Sequence, residues 1–151
     1  KINLSKIIDN VVAYFNIRKP KSKNISIIFN NNINYYIDGD DLLIYWAFEN
    51  LIKNSIESIT NKNGIIRIEI SSKNDIITLL FFDNGKEISL NKKNKIFKPG
   101  YSSKQRGWGL GLSLSKRIIE YLHKGTIRLL KSNSNEKIFQ VTFKSSYLLE
   151  K

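Results

Sequence analysis

The chain has 151 residues, the length of one domain, and 41% of them are hydrophobic, enough for a buried core. It has no cysteine, which excludes a disulfide framework, a thiol nucleophile and a thiolate metal site, and it shows neither a bilayer-length apolar run nor a signal peptide. The net charge of +12 comes from lysines scattered among asparagine and isoleucine, a bias that AT-rich coding produces, whereas specific nucleic-acid readers favour arginine and stacking aromatics, so a solvated basic surface is expected rather than a nucleic-acid partner.

The chain opens on Lys1 rather than methionine and reads as a piece of something longer. Leu4, Ile7, Ile8, Val11, Val12 and Phe15 recur at helical spacing and predict an amphipathic helix over 4–15. Lys19 to Lys23, with Pro20, reads as a basic loop. Ile25, Ile27 and Phe29 alternate with polar residues as in a half-buried strand, and Tyr35 to Ile37 suggests a short second one. Asp38-Gly39-Asp40-Asp41 then opens a long helix to about Ile59, its acidic residues suited to the positive end of the dipole. Asn63-Gly64 turns the chain into a strand over 66–70. A hairpin turn at 71–74 leads to a nearly all-apolar strand, 76–82, expected at the centre of a sheet.

The stretch 83–106 is long and polar, with at most a short helix near Ile96, and a loop of that length is usually functional, such as a lid. A glycine-started helix follows to about Leu122, ended by Gly125. Strands over 126–130 and 138–143 close the chain. No repeat or linker interrupts it, so the expectation is a single α/β domain over 1–151, a mixed, largely antiparallel sheet with helices on one face.

Chemistry concentrates at four places. In Glu49-Asn50-Leu51-Ile52-Lys53-Asn54-Ser55, Asn50 and Asn54 are four apart and share a helix face with Lys53. Asparagine is a poor interior helix residue; either these two are simply solvated, or their amide oxygens face a hydrated Mg²⁺. Asp83-Asn84-Gly85 ends the apolar strand and reads either as an ordinary turn or as an acceptor for the amino group of an adenine. Phe97-Lys98-Pro99-Gly100-Tyr101-Ser102-Ser103-Lys104 joins a hydrophobic anchor to hydroxyls and a cation. Gly107-Trp108-Gly109-Leu110-Gly111-Leu112 opens a helix. Its glycines permit close backbone approach and its free N–H groups suit a phosphate, although alone it fits a flexible turn equally well.

Taken in order, Asn-x-x-x-Asn, Asp-x-Gly, Phe-x-Pro-Gly-Tyr-Ser-Ser-Lys and Gly-x-Gly-x-Gly-Leu resemble the N, G1, F and G2 boxes of the ATP-binding catalytic domain of sensor histidine kinases, in the superfamily shared with DNA gyrase, Hsp90 and MutL. The resemblance spans nearly the whole chain and implies the Bergerat fold, an α/β sandwich with three helices behind a mixed sheet. It implies that Asn54 and Asn50 hold the Mg²⁺ bridging the ATP phosphates, with Lys53 nearby. Asp83 would accept from the adenine amino group, Gly85 give the base room, and Ile88 line its pocket. Phe97 would anchor the lid, whose Tyr101, Ser102, Ser103, Lys104 and Arg106 lie towards the phosphates. The backbone from Gly107 through Trp108, Gly109, Leu110 and Gly111 to Leu112 would cradle them. Asn50, Asn54 and Lys104 are the implied catalytic set.

The chain departs from the resembled pattern at three points. Glu87 replaces a second glycine, Ser55 replaces an alanine, and Glu136-Lys137-Ile138 stands before Phe139 where Gly-Thr is usual. In the hydrolysing branches a glutamate four residues before the metal-binding asparagine activates water. Here that residue is Asn50, which cannot take a proton, and Glu49 is turned away by about 100°. Transfer to a protein histidine is therefore expected, and the lone His123 is read as structural. The acceptor then lies on a dimerisation helix outside this chain. The parent would be a homodimer with a response regulator downstream, the domain cytoplasmic, and the parent free to be membrane-anchored. A non-catalytic ATP-sensing or anti-sigma-type module of the same fold stands as the alternative, and a basic nucleic-acid-binding domain as a more distant one.

Overall fold

The computed structural model describes residues 1–60, 63–101 and 111–146. Strand β1 (Ile2–Asn3) runs directly into helix α1 (Leu4–Arg18), where the Asn3 side chain accepts the Lys6 N–H and caps the first turn. The helix continues one turn past Phe15, where the apolar periodicity stops. Strand β2 (Ile25–Ile28) alternates buried and exposed as its sequence requires. The basic loop before it has a fastening role: Lys19 Nζ donates to the Ile25 carbonyl at 2.6 Å and Lys23 Nζ to the Ile56 carbonyl at 3.0 Å. Strand β3 (Tyr36–Ile37) pairs antiparallel with β1 as a separate two-stranded ribbon, a pairing that sequence pattern did not reveal.

Helix α2 (Asp41–Ser58) is capped by Asp40, whose side chain accepts the Leu43 N–H at 3.0 Å. Strands β4 (Gly64–Lys73) and β5 (Ile76–Asp83) form a hairpin. Both are longer than the pattern suggested, because the turn is confined to Asn74 and Asp75, with φ of 52° and 64°. Positive φ at both central residues is the type I′ geometry that matches strand twist, and asparagine and aspartate tolerate it. Strands β6 (Thr126–Ser132) and β7 (Lys137–Lys144) complete a five-stranded sheet in the order β2-β4-β5-β7-β6. Only the β2–β4 pairing is parallel, and β5 occupies the centre. The mixed, largely antiparallel sheet expected from sequence is therefore present.

One face of the sheet is a continuous apolar layer. Ile77, Leu79 and Phe81 of β5 face Phe143, Val141 and Phe139 of β7, and Ile68 and Ile66 of β4 extend the layer. Phe48 of α2 packs on Phe81 and Phe143, with centroids 5.6 and 6.5 Å apart. Each such ring, fully buried, contributes about 1.5–3 kcal/mol. The layer ends in two charges: the next residue on this face of β5 is Asp83 and its partner on β7 is Lys137, both buried.

The glycine-led helix α3 (Gly111–Lys116) continues as a π-helical segment over Arg117–Leu122 rather than as one uniform helix. It ends at Leu122, as the sequence pattern predicts. Lys124, not Gly125, takes the left-handed conformation, with φ of 56°. Gly125 is needed for space: a Cβ there would lie 2.3 Å from the Thr142 carbonyl oxygen and 2.9 Å from Phe143 Cδ1. Gly125→Ala should therefore force β6 away from β7 and cost about 1–3 kcal/mol, read as a lower midpoint in urea denaturation. A midpoint equal to that of the unsubstituted chain would show that the two strands do not approach this closely.

Candidate functional site

The site is built around Asp83. Its Oδ2 accepts the Ser55 hydroxyl at 2.7 Å, its Oδ1 accepts the Gly85 N–H at 2.9 Å, and Lys137 Nζ lies 3.5 Å from Oδ1. An aspartate that accepts from the residue two ahead forms a tight local turn, so the sequence Asp-Asn-Gly builds this corner itself. Asn84 locks the outside of the turn: its Oδ1 accepts from Ile65 N and its Nδ2 donates to Asn63 O. Gly85 lies against the end of α2, where a Cβ would sit 2.0 Å from Ser58 Oγ. Its first duty is thus to let strand and helix meet. The Lys86 N–H donates to the Ser58 carbonyl at 2.8 Å, a second tie to α2.

Asn50 and Asn54 are both half-buried on α2, and neither side-chain amide makes a hydrogen bond among the described residues. Two amides left with open donors and acceptors on a partly covered surface are suited to a polar ligand. Lys53 is exposed. Glu49 is turned elsewhere: after burial, its carboxylate is the main influence raising Tyr45 above the ordinary tyrosine range, with Tyr14 and Arg18 of α1 as the other neighbours. Ala47, Asn50 and Asn54 fall at i, i+3 and i+7 and share a helix face. The buried Ser115 hydroxyl donates to the Ala47 carbonyl at 2.9 Å. Helix α3 therefore docks beside the asparagine face, with Gly111 one turn earlier.

The chain after Asp83 is pinned from both ends. Ile88 is half-buried against the core and its N–H donates to Ser132 Oγ at 2.7 Å. Single-turn 3₁₀ helices occupy Leu90–Lys92 and Lys95–Phe97, the second where a short helix was expected. Phe97 is buried edge-on against Phe139, 6.2 Å between centroids, with Lys116 Nζ 5.3 Å from its ring centre. It fixes the end of the second 3₁₀ turn against β7. Tyr101 is half-buried against the core. Ser102, Ser103, Lys104, Arg106, Gly107, Trp108, Gly109 and Leu110 lie outside the described residues; Gly111 and Leu112 begin the described part of the glycine helix.

Two residues matter more than the sequence suggested. Ser55, which stands where the resembled pattern has alanine, is the link between α2 and Asp83. Lys137, in the stretch where the resembled pattern has Gly-Thr, is a buried cation on the same carboxylate and also donates to the Lys86 carbonyl at 3.1 Å. Their signal was present: a small hydroxyl one residue after Asn54, and a charge interrupting an alternating strand. Glu87 is exposed. His123 is structural, as expected. Its Nδ1 meets the Ile118 carbonyl at 2.8 Å and its Nε2 accepts from Asp40 N at 3.1 Å, joining the end of the glycine helix to the start of α2.

Residues 39–146 match the family of histidine kinase-, DNA gyrase B- and HSP90-like ATPases. The chain is 33% identical over 125 residues to the sensor histidine kinase FlgS of Helicobacter pylori, covering 80% of this chain and 31% of that protein. It is 34% identical over 122 residues to sporulation kinase B of Bacillus subtilis, covering 81% and 28%. The chain thus spans about a third or less of these relatives. Among solved structures it resembles the catalytic domain of histidine kinase ThkA, with a TM-score of 0.82 and 29% identity over 95% of this chain and 93% of that one. No described helix is long and apolar enough to cross a membrane. The chain belongs to the histidine kinase-, DNA gyrase B- and HSP90-like ATPase family, as an ATP-binding domain of the sensor histidine kinase type.

Proposed function

We propose that this domain binds Mg²⁺-ATP and donates the γ-phosphoryl group to a histidine on a separate dimerisation helix of its parent. The observation that carries the proposal is the Ser55–Asp83 hydrogen bond at 2.7 Å, which ties a buried acceptor to the helix bearing Asn50 and Asn54. Among the described residues there is no cluster of three or more His, Cys, Asp or Glu able to hold a metal. A cation here would rest on amide oxygens and on the nucleotide's own phosphates, the arrangement Mg²⁺ favours. When bound, Mg²⁺ neutralises charge on those phosphates.

The chain's own residues would do the rest. Asp83 accepts from the base amino group, and Ile88 packs against the ring. Asn54 and Asn50 orient the cation, with Lys53 beside them. Tyr101, Ser102, Ser103, Lys104 and Arg106, together with the glycine backbone from 107 to 112, complete the phosphate side. Asn50 cannot deprotonate water, which favours transfer over hydrolysis. His123 is engaged at both nitrogens, so the acceptor histidine lies elsewhere. The parent is then a homodimer with its catalytic part on the cytoplasmic side. Its product is a phosphohistidine available to a response regulator; histidine kinase ThkA has been solved in complex with one, TrrA.

Calorimetry should record ATP binding that strengthens with Mg²⁺, and incubation with labelled ATP should leave the isolated chain unphosphorylated. Absence of heat with ATP, ADP and a non-hydrolysable analogue would remove the proposal.

A further inference from the structure

Strand β6 ends the sheet, and part of its outer edge is unused. The Ile127 N–H donates to Glu120 Oε2 of the preceding π-helical segment at 3.0 Å, not to β7. Ile127 and Leu129 are the register partners of Val141 and Phe139, and successive residues of an antiparallel strand direct their N–H and C=O groups to alternate edges. The Ile127 carbonyl and the Leu129 N–H therefore point away from the sheet, and neither has a partner among the described residues. The register shift between Leu129 and Lys131 ends the regular edge just beyond.

A cavity of about 230 Å³ opens along this edge, lined by all of residues 127–130. Consecutive side chains of a strand point to opposite faces, so a cavity that touches four in a row lies against the backbone edge and not against one face. Its other walls carry Lys93 and Phe97 from the segment after Asp83, and Lys116 from α3. Arg128 lies on the sheet face away from the helices, where its Nε donates to Gln140 Oε1 at 2.7 Å; its other guanidinium N–H groups and Lys93 Nζ have no partner among the described residues. Lys116 comes from the helix layer, its Nζ 3.5 Å from Glu120 Oε1. Cations thus flank the edge on both faces, and no acidic side chain lines the cavity among the described residues. They repel a second copy of this basic chain, and for the same reason they attract a strand of opposite charge.

We infer that the edge of β6 is a docking groove for an extended acidic segment of a partner protein. The segment adds a strand beside β6 through the Ile127 carbonyl and the Leu129 N–H, and its carboxylates meet Lys93, Lys116 and Arg128. This surface does not depend on where the nucleotide binds.

The probe is an acetylated and amidated hexapeptide of alternating glutamate and valine, titrated into the isotope-labelled chain. It should bind with a dissociation constant of about 1 mM or below, with the largest amide shifts at residues 127–130 and at Lys93. Hydrogen exchange at the Leu129 amide should slow about tenfold near saturation. A copy with glutamine for glutamate should bind about tenfold more weakly, and so should a fully N-methylated copy, which keeps the charges and loses the backbone donors. Lys93→Glu combined with Arg128→Glu, both at exposed positions, should weaken the glutamate peptide about tenfold and favour a lysine–valine peptide in its place. Should that variant not fold, the peptide series on the unsubstituted chain decides alone. Equal binding of the glutamine copy would show that the cations only guard the edge, and equal binding of the N-methylated copy that no strand is added; either result overturns the inference. So does a titration that leaves residues 127–130 unmoved. Displacement of the peptide by inorganic phosphate or Mg²⁺-ATP at the same concentration would make the cavity a small-anion site and overturn it as well.

Discussion

Asp83→Asn should weaken ATP binding by about 100-fold or more and destabilise the domain by about 3–5 kcal/mol, because the buried Lys137 ammonium loses the carboxylate it pairs with. For a domain of this size that corresponds to a melting temperature about 10 °C lower. The two losses have different origins, and a second substitution separates them. Adding Lys137→Met to Asp83→Asn removes that cation and should recover most of the stability, since replacing both members of a buried pair is often close to neutral. It should not recover ATP binding, because the anionic acceptor is still missing. Differential scanning calorimetry and nucleotide titration on the single and double variants check both halves. If the double variant binds ATP as the unsubstituted chain does, Asp83 does not read the base.

Asn54→Ala should act in the opposite manner, on function with little effect on stability. The Asn54 amide makes no hydrogen bond among the described residues, and alanine is the better helix former, so stability should change by less than about 0.5 kcal/mol. ATP binding by the unsubstituted chain should strengthen about tenfold or more when Mg²⁺ is added. In the variant, titrations with Mg²⁺ and with a chelator should coincide. In the full-length parent, phosphoryl transfer should fall by about 10²–10³, the usual loss when one preorganised electrostatic contact is deleted. A variant that retains the Mg²⁺ effect would move the cation away from α2.

Strong periodicities foretold the helices and the central strand, because a stripe such as Leu43, Ala47, Phe48, Leu51 and Ile52 has one good solution on one helix face. Strand ends were less legible. The hairpin turn fell at Asn74 and Asp75 because two residues that accept positive φ stand together, a local preference that outweighs the polar look of Ser71 to Lys73. The β1–β3 ribbon joins segments more than thirty residues apart, and no short-range pattern encodes such a pairing. At the site, the spacing of Asn50, Asn54 and Asp83 was readable, whereas Ser55 and Lys137 stood out in sequence without anything to say that they meet Asp83. Ser55 comes from a helix and Lys137 from a strand at the other end of the chain, and only the register of β5 with β7 brings that lysine to the carboxylate. Gly85 and Gly125 show the same limit. Each looked like a turn residue, and each is fixed by what passes beside it, Ser58 in one case and Thr142 in the other.

The proposed nucleotide site must be closed from three sides: the asparagine face of α2, the Asp83 turn and the glycine-led helix. A cavity of about 230 Å³ also opens beside β6, lined in part by Lys93, Asn94, Phe97, Lys116 and Arg128, and it offers a basic alternative for an anion. Backbone amide chemical shifts recorded during titration with Mg²⁺-ATP distinguish the two. The largest shifts should fall together on Asn54, Gly85, Ile88, Gly111 and Leu112, with one common dissociation constant. Shifts confined to Lys93, Lys116, Arg128 and their neighbours, with Asn54 and Gly85 unmoved, would contradict the account.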